Sequence, residues 1–340
     1  MNKTKHLLQG KTPLPFQQLK RYLYPVKRPL LLPFVPFYLL GYWLHALGVR
    51  VLGLRKKSPI PTLVIGNPVA GGSGKTPLTI ALAQELLAKG LRIAVLSRGY
   101  GRNSKGLREV NLDSAPEEVG DEALEIKHAL GDIPVVVDGN RHRGLAYLKA
   151  KYVFLDWVLL DDGLQHHRLQ PDISLMLWHQ NDLVQKPWPL PAGNLRLWPI
   201  WPRPSLKAVS YAEKPNKGIL SIPFRMEKPI DWENKRQVSK EYWGLGWTGL
   251  ARPETLLKQF PEIKWLLSAD HALPSTKFWE QIEALEEPQY LICTVKDSLR
   301  LGPHRQRIKK LAVVPLRPDK QSPGYRELAK KVVELCTRPS

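Results

Sequence analysis

The sequence predicts an α/β protein in which a parallel sheet carries helices on both faces, followed by a smaller α/β domain. Short apolar runs alternate with stretches of helical periodicity, which is typical of βαβ units. The length of 340 residues exceeds one ordinary core and fits two domains of roughly 100–200 residues. Hydrophobic residues make up 43% and charged residues 24%, a globular composition that argues against intrinsic disorder.

The first domain is predicted from the order of its apolar runs and loops. A strand at 62–65 leads into a glycine-rich loop and then into a helix over 76–89, which Gly90 ends at its C′ position. Ser114 and Glu117 form a capping box that opens another helix. Further strands are predicted at 92–96, 134–137, 153–160 and 173–177. This alternation predicts a parallel sheet with both faces covered.

The second domain follows a change in composition. Between residues 178 and 204 tryptophans alternate with prolines, which indicates a rigid irregular segment. Beyond the polar stretch that follows, we predict helices at 253–260, 276–286 and 324–336 and strands at 290–294 and 311–315. The predicted divisions are an N-terminal segment 1–57, a core domain 58–212, a linker 213–240 and a C-terminal α/β domain 241–340.

The chain is strongly basic and poor in cysteine. Lys and Arg number 51 against 31 Asp and Glu, which gives a formal charge of +20. Such a surface attracts polyanions, whether nucleic acid, phosphorylated small molecules or an anionic membrane. The two cysteines, Cys293 and Cys336, form no CxxC pair. This excludes a disulfide scaffold and a zinc ribbon and is compatible with a reducing compartment.

The basic residues are concentrated near the N-terminus. The first 60 residues contain eleven Lys and Arg and no acid, and they enclose an apolar, aromatic run at 29–44. This run is shorter than the ~20 residues of a spanning helix and contains Pro33 and Pro36. A secretory signal is not expected, because the residues before the run are polar and basic. We expect an element lying on an anionic membrane surface; a helix packed on the protein's own core is the alternative.

The strongest chemical signal is the GGSGKT motif at 71–76, between the first predicted strand and helix. Backbone N–H groups of such a loop cradle phosphate oxygens, helped by the positive end of the helix. Lys75 would reach the β- and γ-phosphates of a nucleotide, and the Thr76 hydroxyl would hold Mg²⁺. The full P-loop pattern asks for glycine where this chain has Val69. The candidate nucleotide-binding residues are Ala70, Gly71, Gly72, Ser73, Gly74, Lys75 and Thr76.

A second signal is the apolar strand that ends in Asp161 and Asp162. In P-loop sites a carboxylate at the carboxyl end of such a strand orients Mg²⁺, whereas a turn or helix cap is the alternative use of these aspartates. His166 and His167 follow, and as neighbours in sequence they do not easily face one ion. We expect these histidines to contact a polar substrate instead.

Phosphoryl transfer to an alcohol also needs a group that accepts the hydroxyl proton. The candidates are Asp121, in a GDE motif, and the pair of Asp270 and His271. On the residues alone, Asp121 could equally be a helix cap and His271 a structural histidine. The basic loop SRGYGR at 97–102 follows a strand and suits contact with a phosphate or a sugar; a solvated turn is the alternative.

The chain resembles the tetraacyldisaccharide 4′-kinases, the lipid A 4′-kinases, in seven motifs that occur in order through nearly its whole length. These motifs are VAGGSGKTP at 69–77, SRGYGR at 97–102, GDE at 120–122, DDGLQHHRL at 161–169, PAGNLR at 191–196, DH at 270–271 and TVKDSLRL at 294–301. The first and fourth motifs together are highly specific for that family. The missing first glycine of the loop is also usual in that family.

The resemblance implies Mg²⁺-dependent transfer of the γ-phosphoryl group of ATP to the 4′-hydroxyl of a tetraacylated glucosamine disaccharide 1-phosphate. It also implies a P-loop core, a smaller C-terminal domain joined by a β linker, and a location on the cytoplasmic face of the bacterial inner membrane. Asp121 would accept the proton with His271 as its partner, and Asp161 and Asp162 would serve the metal. The candidate substrate contacts are Arg98, Tyr100, Glu122, Gln165, His166 and Arg196.

Some positions depart from the family's usual pattern. Leu197 stands where an acid usually follows Arg196, Val295 stands where glutamate is usual, and 272–274 are less aromatic. Two other functions stay open: a soluble P-loop kinase of a small phosphorylated metabolite, and a nucleic-acid-binding ATPase suggested by the charge. The sequence contains no RNP or helix-turn-helix pattern. We therefore expect a lipid substrate and a membrane surface, with no nucleic acid, and infer no protein partner.

Overall fold

Two largely parallel sheets organise the chain. The computed structural model describes residues 30–69, 72–185, 187–196, 204–214, 218–250, 253–268 and 276–338. The strands are β1 (Lys56–Lys57), β2 (Thr62–Gly66), β3 (Ile93–Ser97), β4 (Arg108–Glu109), β5 (Val135–Val137), β6 (Trp157–Asp161), β7 (Leu169–Gln170), β8 (Ile173–His179), β9 (Leu206–Ser210), β10 (Leu220–Ile222), β11 (Phe224–Met226), β12 (Ile230–Asp231), β13 (Trp243–Thr248), β14 (Lys264–Leu267), β15 (Tyr290–Thr294), β16 (Leu311–Val314) and β17 (Leu316–Pro318).

Helices connect most of these strands. They are α1 (Val35–Val51), α2 (Lys75–Ala88), α3 (Pro116–Val119), α4 (Asp121–Leu130), α5 (Arg141–Lys151), α6 (Gln180–Gln185), α7 (Glu254–Gln259), α8 (Thr276–Glu283), α9 (Val295–Arg300) and α10 (Pro323–Thr337). Short 3₁₀ turns occur at Leu32–Phe34, Lys240–Tyr242 and Gly302–Arg307.

The larger sheet has the strand order β10-β9-β8-β2-β6-β3-β5-β4 and is parallel except for β4, which runs antiparallel to β5. Asp161, the last residue of β6, is level with Ile65 of β2. The glycine-rich loop after β2 and the acids after β6 therefore leave the sheet side by side at its carboxyl edge. In sheets of this kind that edge is where ligands bind.

Helices cover both faces of the larger sheet, which confirms the predicted fold class. Leu78, Leu82 and Leu86 of α2 pack on one face together with α4 and α10. Leu145 and Leu148 of α5 pack on the other face. Removing these side chains from water is the main favourable term in a layered fold of this kind.

The smaller sheet has the order β12-β16-β15-β13-β14, and only β12 runs antiparallel to its neighbour. Phe278 and Ile282 of α8 pack on one face, and Leu256 of α7 and Phe260 pack on the other. The antiparallel pair β11 and β17 joins the two domains. It supplies the β linker that the resemblance implies.

Two elements lie across the boundaries predicted from the sequence. β10, within the predicted linker, is the edge strand of the larger sheet, and α10, within the predicted C-terminal domain, packs on the first domain. Trp157 Nε1 donates to the carbonyl oxygen of Cys336 at 2.9 Å and fixes α10 there. The chain thus enters the second domain through β11 and returns through β17, and the rest of the predicted division stays a prediction.

The N-terminal apolar run forms a helix that extends beyond the run itself. The 3₁₀ turn and α1 together span Leu32–Val51, which is 20 residues, and an 18-residue stretch within them has a mean hydropathy of 1.3. Pro33 and Pro36 fall in the first turns, where proline interrupts no helical hydrogen bond. The observed helix is therefore not too short to span a membrane. Its length alone permits a membrane-spanning or an interfacial placement. Residues 1–29 lie outside the described residues.

Candidate active site

The glycine-rich loop turns directly into α2, as its motif predicts. Gly74 has a positive φ of 79°, and a Cβ atom there would lie 2.9 Å from the ring of Phe224 on β11. Only glycine meets both conditions without strain. Ser73 is buried, and its hydroxyl has no hydrogen-bond partner within the described part of the chain. A phosphate oxygen would satisfy this group; Ala70 and Gly71 lie outside the described residues.

Lys75 is held at the mouth of the loop by two oxygen atoms. Its Nζ donates to Asn67 Oδ1 at 2.9 Å and lies 3.6 Å from Asp162 Oδ1. Asn67 immediately follows β2, and its side-chain amide donates back to the carbonyl oxygen of Val69. Asn67 was not expected from the sequence, because a single asparagine after a strand is also an ordinary turn residue. Its place beside the lysine makes it part of the site.

Asp161 lies fully buried between two threonines of α2. Thr76 Oγ1 and Thr79 Oγ1 each donate to its carboxylate at 3.1 Å. Burial, followed by the nearby Glu122 and Asp162 charges, raises the pKa of Asp161 to about 7, and Lys75 opposes that shift. Thr79 was also missed, although its spacing of three residues from Thr76 places both hydroxyls on one helix face.

These oxygen atoms fit a magnesium ion. Mg²⁺ prefers oxygen ligands and is commonly bound by one or two carboxylates together with substrate phosphates. Among the described residues, no group of three or more His, Cys, Asp and Glu side chains is arranged to hold a metal by itself. A site that combines the Thr76 hydroxyl and the Asp161 carboxylate with nucleotide oxygens agrees with that finding.

The buried Asp161 carboxyl predicts a pH-dependent gain in stability on its replacement. With a folded-state pKa near 7 against an ordinary value of 3.8, the native protein binds more protons than the unfolded chain between these values. Stability therefore falls as the pH rises through that window. We expect Asp161→Asn to stabilise the nucleotide-free protein by on the order of 2 kcal/mol at about pH 8 and by much less near pH 4.

Denaturant unfolding of the Asp161→Asn variant and of wild type at both pH values measures this difference. Thr76→Val serves as the matched control, because it removes one hydrogen bond to Asp161 and leaves its charge in place. A variant that is less stable than wild type at the higher pH contradicts the electrostatic account of this carboxyl.

Asp162 and Arg141 meet at the carboxyl edge of the larger sheet. Asp162 adopts the left-handed conformation with a φ of 57°, and its carbonyl oxygen accepts from Arg141 Nη2 at 3.3 Å. Arg141 is 2% exposed, and burial lowers the pKa of its guanidinium to about 10, while Asp162 opposes that effect. Arg98 adds a positive charge nearby. Arg141 was not expected from the sequence, although it follows β5 at the same edge.

Asp121 begins α4 and accepts hydrogen bonds on both carboxylate oxygens. Its Oδ1 accepts from the backbone N of Glu122 at 2.9 Å, and its Oδ2 accepts from Arg300 Nε at 2.7 Å. Gly120, with a φ of 88°, precedes it, and a Cβ atom there would lie 3.0 Å from the carbonyl oxygen of Tyr100. The SRGYGR loop therefore packs directly against the turn that presents Asp121.

The loop after Asp162 offers neutral polar groups. Gln165 Nε2 is buried and has no hydrogen-bond partner within the described residues, so it is available to a substrate oxygen. Burial, and then the positive charges of Arg141 and His142, lower the pKa of His166 to about 4. His166 is therefore neutral at pH 7 and able to exchange hydrogen bonds with a sugar hydroxyl.

Arg196 lies between the glycine-rich loop and α1. Its backbone N donates to Pro68 O at 2.7 Å, and its carbonyl oxygen accepts from Tyr38 Oη at 2.9 Å. Tyr42 and His45 of α1 also pack edge-on against His167. The N-terminal helix thus contacts two of the loops that carry candidate substrate residues.

Most of the predicted site residues therefore gather at one edge of the larger sheet. Glu122, Lys75 and Asp162 each interact electrostatically with Asp161, and Lys75 also lies 3.6 Å from Asp162. Arg98 and Tyr100 are exposed on the neighbouring loop. His271 and Leu197 lie outside the described residues, so their predicted places stay predictions.

Comparison with known proteins identifies the family. The family model for tetraacyldisaccharide-1-P 4′-kinase matches residues 27–334. The chain belongs to that family. The tetraacyldisaccharide 4′-kinase of Delftia acidovorans is 34% identical over 267 residues, which are 76% of each chain. That of Haemophilus influenzae is 30% identical over 281 residues, which are 80% of this chain and 83% of the relative.

A solved structure resembles this kinase over nearly its whole length. The crystal structure of LpxK from Aquifex aeolicus in complex with ATP has a TM-score of 0.69 and 26% sequence identity, and the match covers 91% of this chain and 99% of that one. Family membership makes this kinase a phosphotransferase that acts on a hydroxyl group. It favours the lipid kinase over the two other functions that the sequence left open.

Proposed function

We propose that this kinase transfers the γ-phosphoryl group of ATP to the 4′-hydroxyl of a tetraacylated glucosamine disaccharide 1-phosphate, with Mg²⁺, at the cytoplasmic face of the inner membrane. The observation that carries the proposal is the meeting of three groups at one sheet edge. These are the loop that ends in Lys75, the buried Asp161 and the acidic start of α4 at Asp121.

The nucleotide phosphates bind at the start of α2. Ser73 and the backbone N–H groups of the loop donate to phosphate oxygens, and Lys75 neutralises charge between the β- and γ-phosphates. Thr76, Asp161 and Asp162 supply the protein oxygens for Mg²⁺, which when bound offsets the negative charge on the transferring group. Asn67 and Asp162 hold Lys75 at the mouth of this loop.

Asp121 accepts the proton of the attacking hydroxyl. Hydrogen bonds from the backbone N of Glu122 and from Arg300 Nε hold its carboxylate in place, and a carboxylate oxygen accepts more than one hydrogen bond. As the hydroxyl oxygen forms its bond to phosphorus, the proton passes to Asp121 and the bond to the β-phosphate oxygen breaks. His271 is its proposed partner, on the basis of the family resemblance alone.

The acceptor sugar lies beyond Asp162, among the groups of three loops. Gln165 and His166 supply neutral hydrogen-bonding groups, and Arg98 and Arg196 supply positive charge. Tyr100, 57% exposed, offers an aromatic face on which a sugar ring stacks, and Glu122 accepts hydrogen bonds from sugar hydroxyls.

The helix α1 supports the proposed placement of this site at a membrane surface. Its exposed apolar side chains Phe37, Leu40, Leu44 and Leu47 recur at helical spacing on one face. The opposite face carries Tyr38, Tyr42 and His45, which contact the substrate loops. A helix packed on its own domain along one face is not surrounded by lipid, so we favour an interfacial placement, with the basic N-terminal residues attracted to anionic headgroups.

The exposed face of α1 is tested by the triple variant Phe37→Ser, Leu40→Ser, Leu44→Ser. Each substitution removes about 1–2 kcal/mol of transfer free energy, so flotation with anionic liposomes is expected to fall at least ~10-fold. The matched control is Leu112→Ser, Val153→Ser, Phe154→Ser, which removes equally exposed apolar side chains from the body of the first domain. Equal flotation of the triple variant and wild type would show that this face does not bind lipid.

The acceptor is tested with two substrates. We expect label from γ-labelled ATP to appear on the tetraacylated disaccharide 1-phosphate, and far less on its deacylated analogue, because the acyl chains keep the acceptor in the membrane that α1 binds. Equal rates on both acceptors would favour the soluble kinase of a small phosphorylated metabolite.

A further inference from the structure

Two cations of the second domain reach the acidic start of α4 in the first domain. Arg300 Nε donates to Asp121 Oδ2 at 2.7 Å, and both side chains are almost completely buried. Lys296 Nζ lies 3.1 Å from Glu122 Oε1 and 3.6 Å from Asp121 Oδ2. Both cations belong to α9, one helical turn apart. The domain interface therefore contains a compact cluster of two carboxylates and two cations beside the proposed reaction centre.

Arg300 is itself held in a fixed orientation. Its Nη1 donates to Gly249 O at 3.1 Å and to Asp297 Oδ1 at 3.2 Å. Asp297 is fully buried, and it accepts from the Thr294 hydroxyl at 2.7 Å and from the backbone N of Gly249 at 3.1 Å. The guanidinium group is thus fastened to the second domain on one side and presents its Nε to Asp121 on the other.

This arrangement fixes the carboxylate of Asp121 more tightly than its own helix does. The backbone N of Glu122 contacts Oδ1 and Arg300 contacts Oδ2, so rotation about the last side-chain bond breaks at least one hydrogen bond. A buried ion pair contributes little to stability once the loss of hydration is counted, but it holds charged groups in a defined geometry. A group that must accept a proton from a bound hydroxyl needs such a geometry.

We infer that Arg300 is a positioning residue for Asp121, and that Lys296 assists it by holding Glu122 and the outer side of the same carboxylate. The inference rests on the proposed role of Asp121 as proton acceptor. The second domain contributes to phosphoryl transfer by fixing the orientation of a carboxylate that the first domain supplies. A plain structural bridge between the domains is the competing account.

A double-mutant cycle separates these two accounts. We expect Arg300→Gln to lower kcat by roughly 10–100-fold while KM for ATP stays within about twofold of wild type. In the background of Asp121→Asn, Arg300→Gln is expected to cause no further loss, because its effect acts through the missing carboxylate. Arg300→Lys, which keeps the charge, is expected to recover part of kcat.

The matched control is Arg307→Gln, which removes an exposed cation of the same domain that pairs with Glu283 and leaves kcat unchanged. Equal fractional losses of kcat from Arg300→Gln in the wild-type and Asp121→Asn backgrounds would overturn the inference in favour of a structural bridge. So would an unchanged kcat in Arg300→Gln. If that variant does not fold, the same cycle with Lys296→Gln, which is partly exposed, decides the matter.

Failure of the inference and failure of the proposed function give different results. If Asp121→Asn abolishes turnover while Arg300→Gln leaves it unchanged, the inference alone fails. If Asp121→Asn itself keeps full turnover, the proposed role of Asp121 fails, and the inference fails with it.

Discussion

Replacing Lys75 by alanine is expected to lower kcat/KM for ATP by roughly 10²–10³-fold, the usual effect of removing one aligned donor from a developing negative charge. The ammonium group lies between Asn67 and Asp162 at the start of α2, where the phosphates bind. Its removal subtracts a full charge from that position and leaves the packing of the helix intact. Steady-state kinetics with γ-labelled ATP and saturating lipid acceptor measure the effect.

Lys89→Ala is the matched control for Lys75→Ala. Lys89 is exposed just beyond the far end of the same helix, so its removal changes the net charge equally and is expected to leave kcat/KM unchanged. A Lys75→Ala variant with near wild-type kinetics would show that the loop does not bind the transferring phosphate.

Replacing Asp121 by asparagine is expected to lower kcat by roughly 10²–10⁴-fold, the usual contribution of a positioned proton acceptor. Asparagine keeps the size of the side chain and an oxygen atom to accept from Arg300, but its amide is not a base at neutral pH. Affinity for ATP is expected to stay within about twofold of wild type, because Asp121 begins α4 rather than the phosphate loop. Single-turnover rates and equilibrium nucleotide binding separate the two quantities.

Asp113→Asn serves as the control for Asp121→Asn. It is an exposed carboxylate shortly before α4, and its loss is expected to leave both quantities unchanged. A large loss of ATP affinity in Asp121→Asn, with chemistry unaffected, would count against Asp121 as the proton acceptor.

The elements that depend on local pattern could be predicted from the sequence. The apolar run at 290–294 forms β15, and the helix predicted at 76–89 forms α2 one residue earlier. Lys75, Thr76 and Asp161 could be placed together because a loop after one parallel strand and an acid after its neighbour meet at the same edge of the sheet. Periodicity and strand order carry this information.

The parts that depend on distant contacts could not be predicted from local pattern. β10 joins an edge of the larger sheet by pairing with β9. β9 was not predicted, because it follows directly on the tryptophan- and proline-rich segment. The periodicity of α10 predicts a helix but does not say that it returns to the first domain to pack beside Trp157. The helix α1 extends past the end of the 16-residue apolar run, because it continues through residues that are less apolar.

Contacts in the site between residues far apart in the sequence could not be predicted from local pattern either. Arg300 stands 179 positions after Asp121, and although it lies in the TVKDSLRL motif at 294–301, no local pattern indicates that it contacts Asp121. Val295, which departs from the family's usual acid, is the first residue of α9, and its side chain packs into the apolar clusters of both domains. Valine at this position therefore leaves Lys296 and Arg300 in place.

Location of the transferred phosphate on the product tests the central claim most directly. The full chain is incubated with ATP, Mg²⁺ and tetraacylated disaccharide 1-phosphate in mixed micelles, and the phosphorylated hydroxyl is identified by phosphorus NMR and mass spectrometry. We predict one new phosphate on the 4′-oxygen for each ATP consumed, with the reaction strongly reduced in Asp121→Asn. Release of inorganic phosphate without a phosphorylated lipid, or a phosphate on another hydroxyl, would contradict the proposed reaction.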